Sequence, residues 1–491
     1  MRASHGALVL LAIVVFLHES WHPHAQLDDA YISYRYARNL VEGAGLVYNP
    51  GEHVEGFSNL LWTLLVAVGL ALGWAADLVG HALGLASGAA ALAATWLLAR
   101  GFQAVPGWPA VFAPWVVLAS VPFTVWATSG METPLFTAAV TAAFAAEQRG
   151  WLRSATALAI VATLTRPEGV LVALCVFGSR LVGQRRWKSG ALAYGGALLA
   201  LSAFRLWYYG ALLPNTFHAK VGGIPFSRGI DYLWQFMAAG GLALLPPAVV
   251  AVRGAPETWP AAAYVALTAV YVSAIGGDPF PHARFLVPAV PLLAAVGARG
   301  VGLTLGTPSS RRALVVAAFL AAPVWFVVGV PGMATFGFGD PWHPLRTNRR
   351  GVAVREFVQA NAFVQGLTER TATLLRQQTP PIRLLAAGGI GVIGYYSRLP
   401  LIDYFGLVDP TVATSAAEAT EGALLLPGHQ RSNADYVFSR RPDFIVIGRA
   451  PREGAVYPPA ALAIWRHPDL ARFYEWQQGP PEGYRRRADA P

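Results

Sequence analysis

The chain has 491 residues, of which 55% are hydrophobic and only 13% charged, against roughly 25% charged in a soluble domain. That balance excludes a disordered chain, a disulfide scaffold and an ordinary soluble enzyme, and it fits a polytopic membrane protein with soluble mass attached. The net charge of +10 reads as basic loops on the cytoplasmic side of a membrane rather than as a nucleic-acid surface, and the single cysteine, Cys175, allows no intrachain disulfide.

Apolar runs that could cross a bilayer lie near 6–18, 58–74, 78–99, 108–127, 133–147, 154–165, 168–182, 190–209, 231–252, 258–275, 284–299 and 312–330. The first is expected to be an uncleaved helix: Arg2 and a short apolar core suit a signal peptide, but no small-residue cleavage site follows promptly. Basic residues then decide the topology. If 58–74 lies at the outer surface or re-enters, Arg2, Arg100, Arg149 with Arg153, the group Arg180, Arg185, Arg186 and Lys188, Arg253, and Arg299 with Arg311 and Arg312 all face the cytoplasm. This gives about 11 crossings with the N-terminus inside and the C-terminus outside.

The polar, motif-like segments then share the outer face. They are the loop 19–57, Ser129–Pro134, Thr165–Gly169, Tyr209–Gly223, Gly276–Phe285 and the tail 331–491. The tail has ordinary polarity, and its apolar runs Ile382–Ala387 and Phe444–Gly448 read as buried strands. The expected fold class is therefore a polytopic α-helical membrane protein, residues 1–330 with the first outer loop 19–57, followed by a C-terminal α/β domain over 331–491.

The first outer loop reads LDDAYISYRYARNLVEGAGLVYNPGEHVEGFSN. Asp28 and Asp29 directly follow the first membrane helix, where adjacent carboxylates are costly. They suit a general base acting on a hydroxyl. They equally suit two ligands of a divalent cation such as Mg, Mn or Ca, and Asp28 could instead cap the helix that follows. Tyr31 is a candidate substrate contact, and Arg35 could meet a lipid phosphate with its planar fork.

Further along, SGMETP offers Glu132 at a helix entrance, as a capping acid or a substrate contact, and TRPEG offers Arg166 and Glu168, which could pair with each other or with the first loop, or contact substrate. YYGALLPNTFHAK holds Asn215, His218 and Lys220, the last two able to neutralise a phosphate. GGDPFPHARF holds Asp278, His282 and Arg284, a candidate phosphate or sugar subsite. In the tail, Asp403, Asp409 and His429 could bind acceptor, with a folding role as the default reading. The Gly388–Gly394 run lacks both the Walker and the Rossmann pattern, so no nucleotide or redox cofactor is expected.

Taken in order, these segments resemble membrane glycosyltransferases of the GT-C superfold. The chain is similar, over nearly its whole length, to the terminal β-(1→2) arabinofuranosyltransferase family of mycobacterial cell walls. The resemblance implies an enzyme of the bacterial inner membrane with its active site and C-terminal domain in the periplasm. Its partners would be a polyprenyl-phosphate sugar donor, a glycan or glycolipid acceptor and membrane lipids, with no nucleic acid. It implies that the acidic pair of the first loop, here Asp28 and Asp29, is catalytic. Arg35, Arg166, His218, Lys220, His282 and Arg284 would then attend the donor phosphate, and Tyr31, Glu132, Glu168, Asn215 and Asp278 the substrates. Pro279 and Pro281 depart from the family's form of the GGDPFPHARF loop. A transporter of a lipid-linked sugar and a non-catalytic envelope assembly factor are the alternative readings; neither an inverted repeat nor midplane charges favour the first.

Overall fold

The structure is a computed structural model, and it describes residues 2–21, 26–102, 107–220, 226–305, 309–328, 350–416, 427–451 and 457–490. Every apolar run read from the sequence is helical. In chain order the helices are α1 (Arg2–Ser20), α2 (Asp28–Val41), α3 (Leu60–Ala71), α4 (Ala76–Phe102), α5 (Trp108–Ala119), α6 (Val121–Ala127), α7 (Thr133–Gln148), α8 (Leu152–Thr165), α9 (Val170–Val182) and α10 (Lys188–Tyr209). They continue with α11 (Asn215–Lys220), α12 (Phe226–Phe236), α13 (Leu242–Gly254), α14 (Trp259–Ile275), α15 (Ala289–Thr304) and α16 (Ser309–Val328). Among the described residues four helical stretches are long and apolar enough to cross a membrane, or five if α5 and α6, bent by 65°, form one broken span. Other apolar helices are shorter. The bend falls at Ser120, whose backbone is extended, two residues before Pro122, which lacks the N–H that would continue the helix. Helix α3 has 12 residues, or about 18 Å, well short of a hydrocarbon core of about 30 Å.

The tail contains α17 (Arg350–Arg376), β1 (Leu385–Ala387), α18 (Gly391–Ser397), β2 (Leu401–Asp403), α19 (Pro410–Ala413), α20 (Ala434–Ser439), β3 (Phe444–Val446), α21 (Pro459–Arg466), α22 (Pro468–Phe473), β4 (Tyr474–Gln477) and β5 (Gly483–Arg486). The strands form one mixed sheet in the order β2-β1-β3-β5-β4. β1 pairs in parallel with β2 and β3, and β5 runs antiparallel to β3 and β4. The apolar runs at 382–387 and 444–448 thus supply β1 and β3. Their side chains are buried because parallel strands are covered on both faces.

The chain divides into two compact units: 1–24 with 77–201 and 226–358, and 25–76 with 202–225 and 359–491. The linear division expected at 330/331 falls outside the described residues. The division that the contacts draw is a different one, with α2, α3 and the segment after Leu201 grouped with the α/β tail.

Within the second unit α2 is buried on every face from Ala30 to Asn39. A helix so placed must satisfy its polar side chains internally. It packs against α18, and two glycines make the approach possible. A β-carbon at Gly391 would lie 1.7 Å from the Asp28 carbonyl oxygen, and one at Gly394 would lie 2.0 Å from the Tyr48 hydroxyl. At Gly389 the nearest such contact is 3.8 Å, to an Asp28 carboxylate oxygen. Gly391→Ala and Gly394→Ala are therefore each expected to destabilise the second unit by about 3 kcal/mol or more, and Gly389→Ala by far less. Thermal unfolding of the three purified variants would check this ranking.

Candidate active site

The parallel strands set the frame. From β1 the chain passes through α18 to β2 on one side, then crosses back to β3 on the other. In open α/β sheets such a reversal leaves a crevice beyond the carboxyl ends of the strands. Here the chain fills it with its own acid. The Asp28 carboxylate accepts backbone N–H bonds from Gly391 (2.9 Å) and Val392 (2.8 Å) at the start of α18. Asp28 is the first residue of α2, whose N-cap is Leu27, so it caps a helix more than 360 residues away and not its own. Burial pushes its carboxyl up to about 6. The two N–H groups oppose the rise, and the neighbouring Asp29 charge adds to it.

Asp28 was expected to share catalysis or a metal with Asp29. Both its oxygens are instead committed to backbone donors. Asp29 differs: it is partly exposed, and among the described residues its carboxylate accepts no hydrogen bond. No group of three or more His, Cys, Asp or Glu side chains that could hold a metal converges among the described residues. The pair therefore offers a cation one unencumbered carboxylate.

Arg35, expected at a phosphate, is 1% exposed and fully engaged. Its Nε donates to Tyr48 O (2.8 Å), Nη1 to Gly394 O (2.8 Å), and Nη2 to Asn49 Oδ1 (3.1 Å) and Leu399 O (2.8 Å). Its guanidinium also lies 4.1 Å from the Tyr48 ring centroid. It ties α2 to the 46–49 turn and to both ends of the Gly394–Leu399 stretch. Tyr31 is buried, accepts from Gln365 Nε2 (2.6 Å) and packs edge-on against Tyr34 and Tyr395. Asn215 spends its amide on Gly406 O (2.8 Å) and Leu407 O (2.9 Å). These three hold the frame. His218 is exposed on α11. Lys220, at the end of α11, runs its stem past Gly428, where a β-carbon would touch it at 3.4 Å. His218 and Lys220 thus belong to the same unit as Asp29.

Sequence reasoning passed over a buried pair in this unit. Arg205 Nε meets Glu55 Oε2 at 2.9 Å, and Nη2 donates to Glu55 Oε1 at 2.9 Å. A lone arginine inside the apolar run 190–209 was the available signal.

The tail acids fold the chain, as read. Asp409 caps α19 and accepts from Tyr436 Oη at 3.0 Å. Asp403, fully buried, accepts from Phe405 N (2.9 Å) and Val408 N (3.1 Å), and burial pushes it up to about 7. Between an unfolded value near 3.8 and about 7, the folded state binds the extra proton. This contribution is therefore present at low pH and lost as pH rises through 7. Relative to Asp403→Asn, the natural chain should gain stability on acidification from pH 8 to 4, with a slope approaching about 1.4 kcal/mol per pH unit. Parallel thermal unfolding across that range tests the sign.

In the first unit the remaining predicted residues meet each other. Arg166 donates from Nη1 to Glu132 and grips Glu168 with Nη2 (2.8 Å) and Nε (3.3 Å). Tyr271 Oη adds a 3.3 Å bond to Glu168. Arg284 Nε lies 2.6 Å from Asp278 Oδ2, and Arg228 donates to the carbonyl oxygens of Gly276 (2.7 Å) and Asp278 (3.4 Å). The ring of Phe285 sits against both Arg166 (4.6 Å) and Arg284 (5.1 Å). His282 is half-buried, its carbonyl accepts from Trp126 Nε1 (3.0 Å), and desolvation lowers its imidazole to about 4.

Segments far apart in sequence are thus brought together. Three acids, Glu132, Glu168 and Asp278, balance three arginines, Arg166, Arg228 and Arg284. The gap between them, lined by Thr133, Arg166, Glu168, Tyr271 and Arg284, has a volume of about 10 Å³, room for about one water. Arg166 and Arg284, expected at a donor phosphate, face internal carboxylates, so an anion would have to displace one of them.

A domain family described as Domain of unknown function (DUF8728) matches residues 356–487. The chain is 30% identical over 265 residues to a terminal beta-(1->2)-arabinofuranosyltransferase of Mycobacterium tuberculosis (strain ATCC 25618 / H37Rv), which bears out the resemblance read from the sequence. That match takes in 48% of this chain and spans 41% of the relative's length. Among solved structures, ArnT from Cupriavidus metallidurans matches in the apo state at 17% identity and a TM-score of 0.49, covering 82% of this chain and 86% of that one. The same protein bound to undecaprenyl phosphate matches at 16% identity and a TM-score of 0.49, covering 99% and 98%.

Proposed function

We propose that this protein is a membrane glycosyltransferase that moves a sugar, arabinofuranose or a related pentose or hexose, from a polyprenyl phosphate to a hydroxyl of a cell-envelope glycan or lipid. The observation that carries this is the division of labour in the acidic pair. Asp28 is locked onto α18 by two N–H groups and thereby fixes the first turn of α2. Asp29, the next residue, keeps an open carboxylate. A base that must take a proton needs this combination of a rigid mount and free lone pairs.

In the reaction the acceptor O–H gives its proton to Asp29, and the acceptor oxygen bonds to the anomeric carbon. The bond from that carbon to the phosphate oxygen breaks. Its electron pair leaves with the polyprenyl phosphate, whose growing charge His218 and Lys220 stabilise. The chemistry runs through Asp29 alone among the acids and takes place on the extracytoplasmic face. The distribution of basic residues, which puts the polar motifs on one side, supports that placement. A donor carried in the bilayer fits a compartment without nucleotide sugars, and the similarity to an arabinofuranosyltransferase supports the reaction class.

The test is transfer by the purified full chain in nanodiscs, offered radiolabelled polyprenyl-phosphate arabinose, mannose or glucose together with an envelope glycan extract. One of the three donors should label the glycan. Folded protein that labels it from none of them would defeat the proposal.

A further inference from the structure

Away from the acidic pair, the tail holds a second concavity of about 490 Å³, within the range of about 300–1,000 Å³ usual for small-molecule sites. Its walls come from the turn after α19, the entry to α20 and the α21–α22 junction, and they include Ser415, Ser432, Asn433, Asp435, Arg466 and His467. His467 is held from three directions. Its ring stacks on Phe438 at 4.2 Å and 16°. Its Nδ1 accepts from Asp469 N at 3.2 Å, so Nε2 carries the proton. That Nε2 lies 3.0 Å from Asp435 Oδ1.

The Asp435 side chain is nonetheless 97% exposed. A fixed imidazole aims one oxygen of a solvent-facing carboxylate and leaves the other free. Arg466 is exposed and makes no ion pair or hydrogen bond among the described residues. Asn433 is aimed in the same way, by Ser415 Oγ (2.9 Å) and Tyr436 N (2.9 Å).

We propose that this concavity binds a neutral oligosaccharide, the acceptor glycan of the transfer reaction. The polarity selects the class. Asp435 and Arg466 cancel, so the site has no net charge with which to hold a phosphate. A free carboxylate oxygen and a free guanidinium together match vicinal hydroxyls, which both donate and accept. The pre-aimed side chains lose little freedom on binding. The acceptor assignment rests on the transferase reading, whereas saccharide binding is measured apart from turnover.

The measurement is fluorescence anisotropy of labelled arabinofuranose and mannose tetrasaccharides with the full chain in nanodiscs. The natural protein should bind one of the two. Asp435→Ala and Arg466→Ala should each weaken that binding by about tenfold or more. Absence of binding to both probes, or affinity in both variants equal to the natural protein's, would overturn the site. Binding without transfer would instead remove the transferase reading and leave the saccharide site standing.

Discussion

Asp29→Asn is expected to lower sugar transfer by about 10²–10⁴-fold, the usual contribution of a positioned general base, with no change in the melting point of the purified chain. The amide keeps the size of the carboxylate and loses the lone pair that takes the proton, and among the described residues no hydrogen bond depends on that group. Asp28→Asn should behave in the opposite manner. One oxygen can still accept from Val392 or Gly391, but the amide NH₂ would face the other N–H donor. That leaves a buried donor unpaired, at about 1–3 kcal/mol, and loosens the mount of Asp29. The natural chain and the two variants, compared by transfer rate and thermal midpoint together, separate the roles. A midpoint loss in Asp29→Asn, or full transfer by it, would show that the assignment within the pair is mistaken.

Arg35→Met is expected to destabilise the second unit by about 4 kcal/mol or more. Tyr48 O, Gly394 O, Leu399 O and Asn49 Oδ1 each lose a charge-assisted hydrogen bond in a site that is 1% exposed, and among the described residues only the first, second and fourth keep another donor, from Asn39, Arg398 and Leu401. Arg35→Lys should recover little of the loss, because a single ammonium cannot reach acceptors spread around a planar fork. Limited proteolysis of the full chain should show the 359–491 segment cut first. Were Arg35 a phosphate ligand, the methionine variant would melt like the natural chain and show only a raised KM for the lipid donor. The same geometry explains why Tyr48 and Gly394 matter: the first lies under the guanidinium, and the second leaves room for it.

These contrasts also locate what was legible early. The apolar runs became helices because hydrophobic patterning is a property of a short window. The runs around β1 and β3 became strands for the same reason. Motif order pointed to Asp28 and Asp29, Arg166 with Glu168, and Asp278 with Arg284, and the last two sets do pair. Single windows could not show which member of the acidic pair is free, because the partner of Asp28 lies at Gly391 and Val392.

Composition, run length and charge parity fixed the helical membrane character, the α/β nature of the tail and the set of polar segments worth attention. The tertiary structure alone decided which of those polar side chains are spent on the frame. Arg35, Asn215, Tyr31 and Asp28 are consumed by backbone groups and side chains distant in sequence, while Asp29 and His218 are left open. The reason is that an isolated residue's chemistry is written in its side chain, but its availability depends on which donors and acceptors folding brings within about 3 Å, and those come from segments hundreds of positions away.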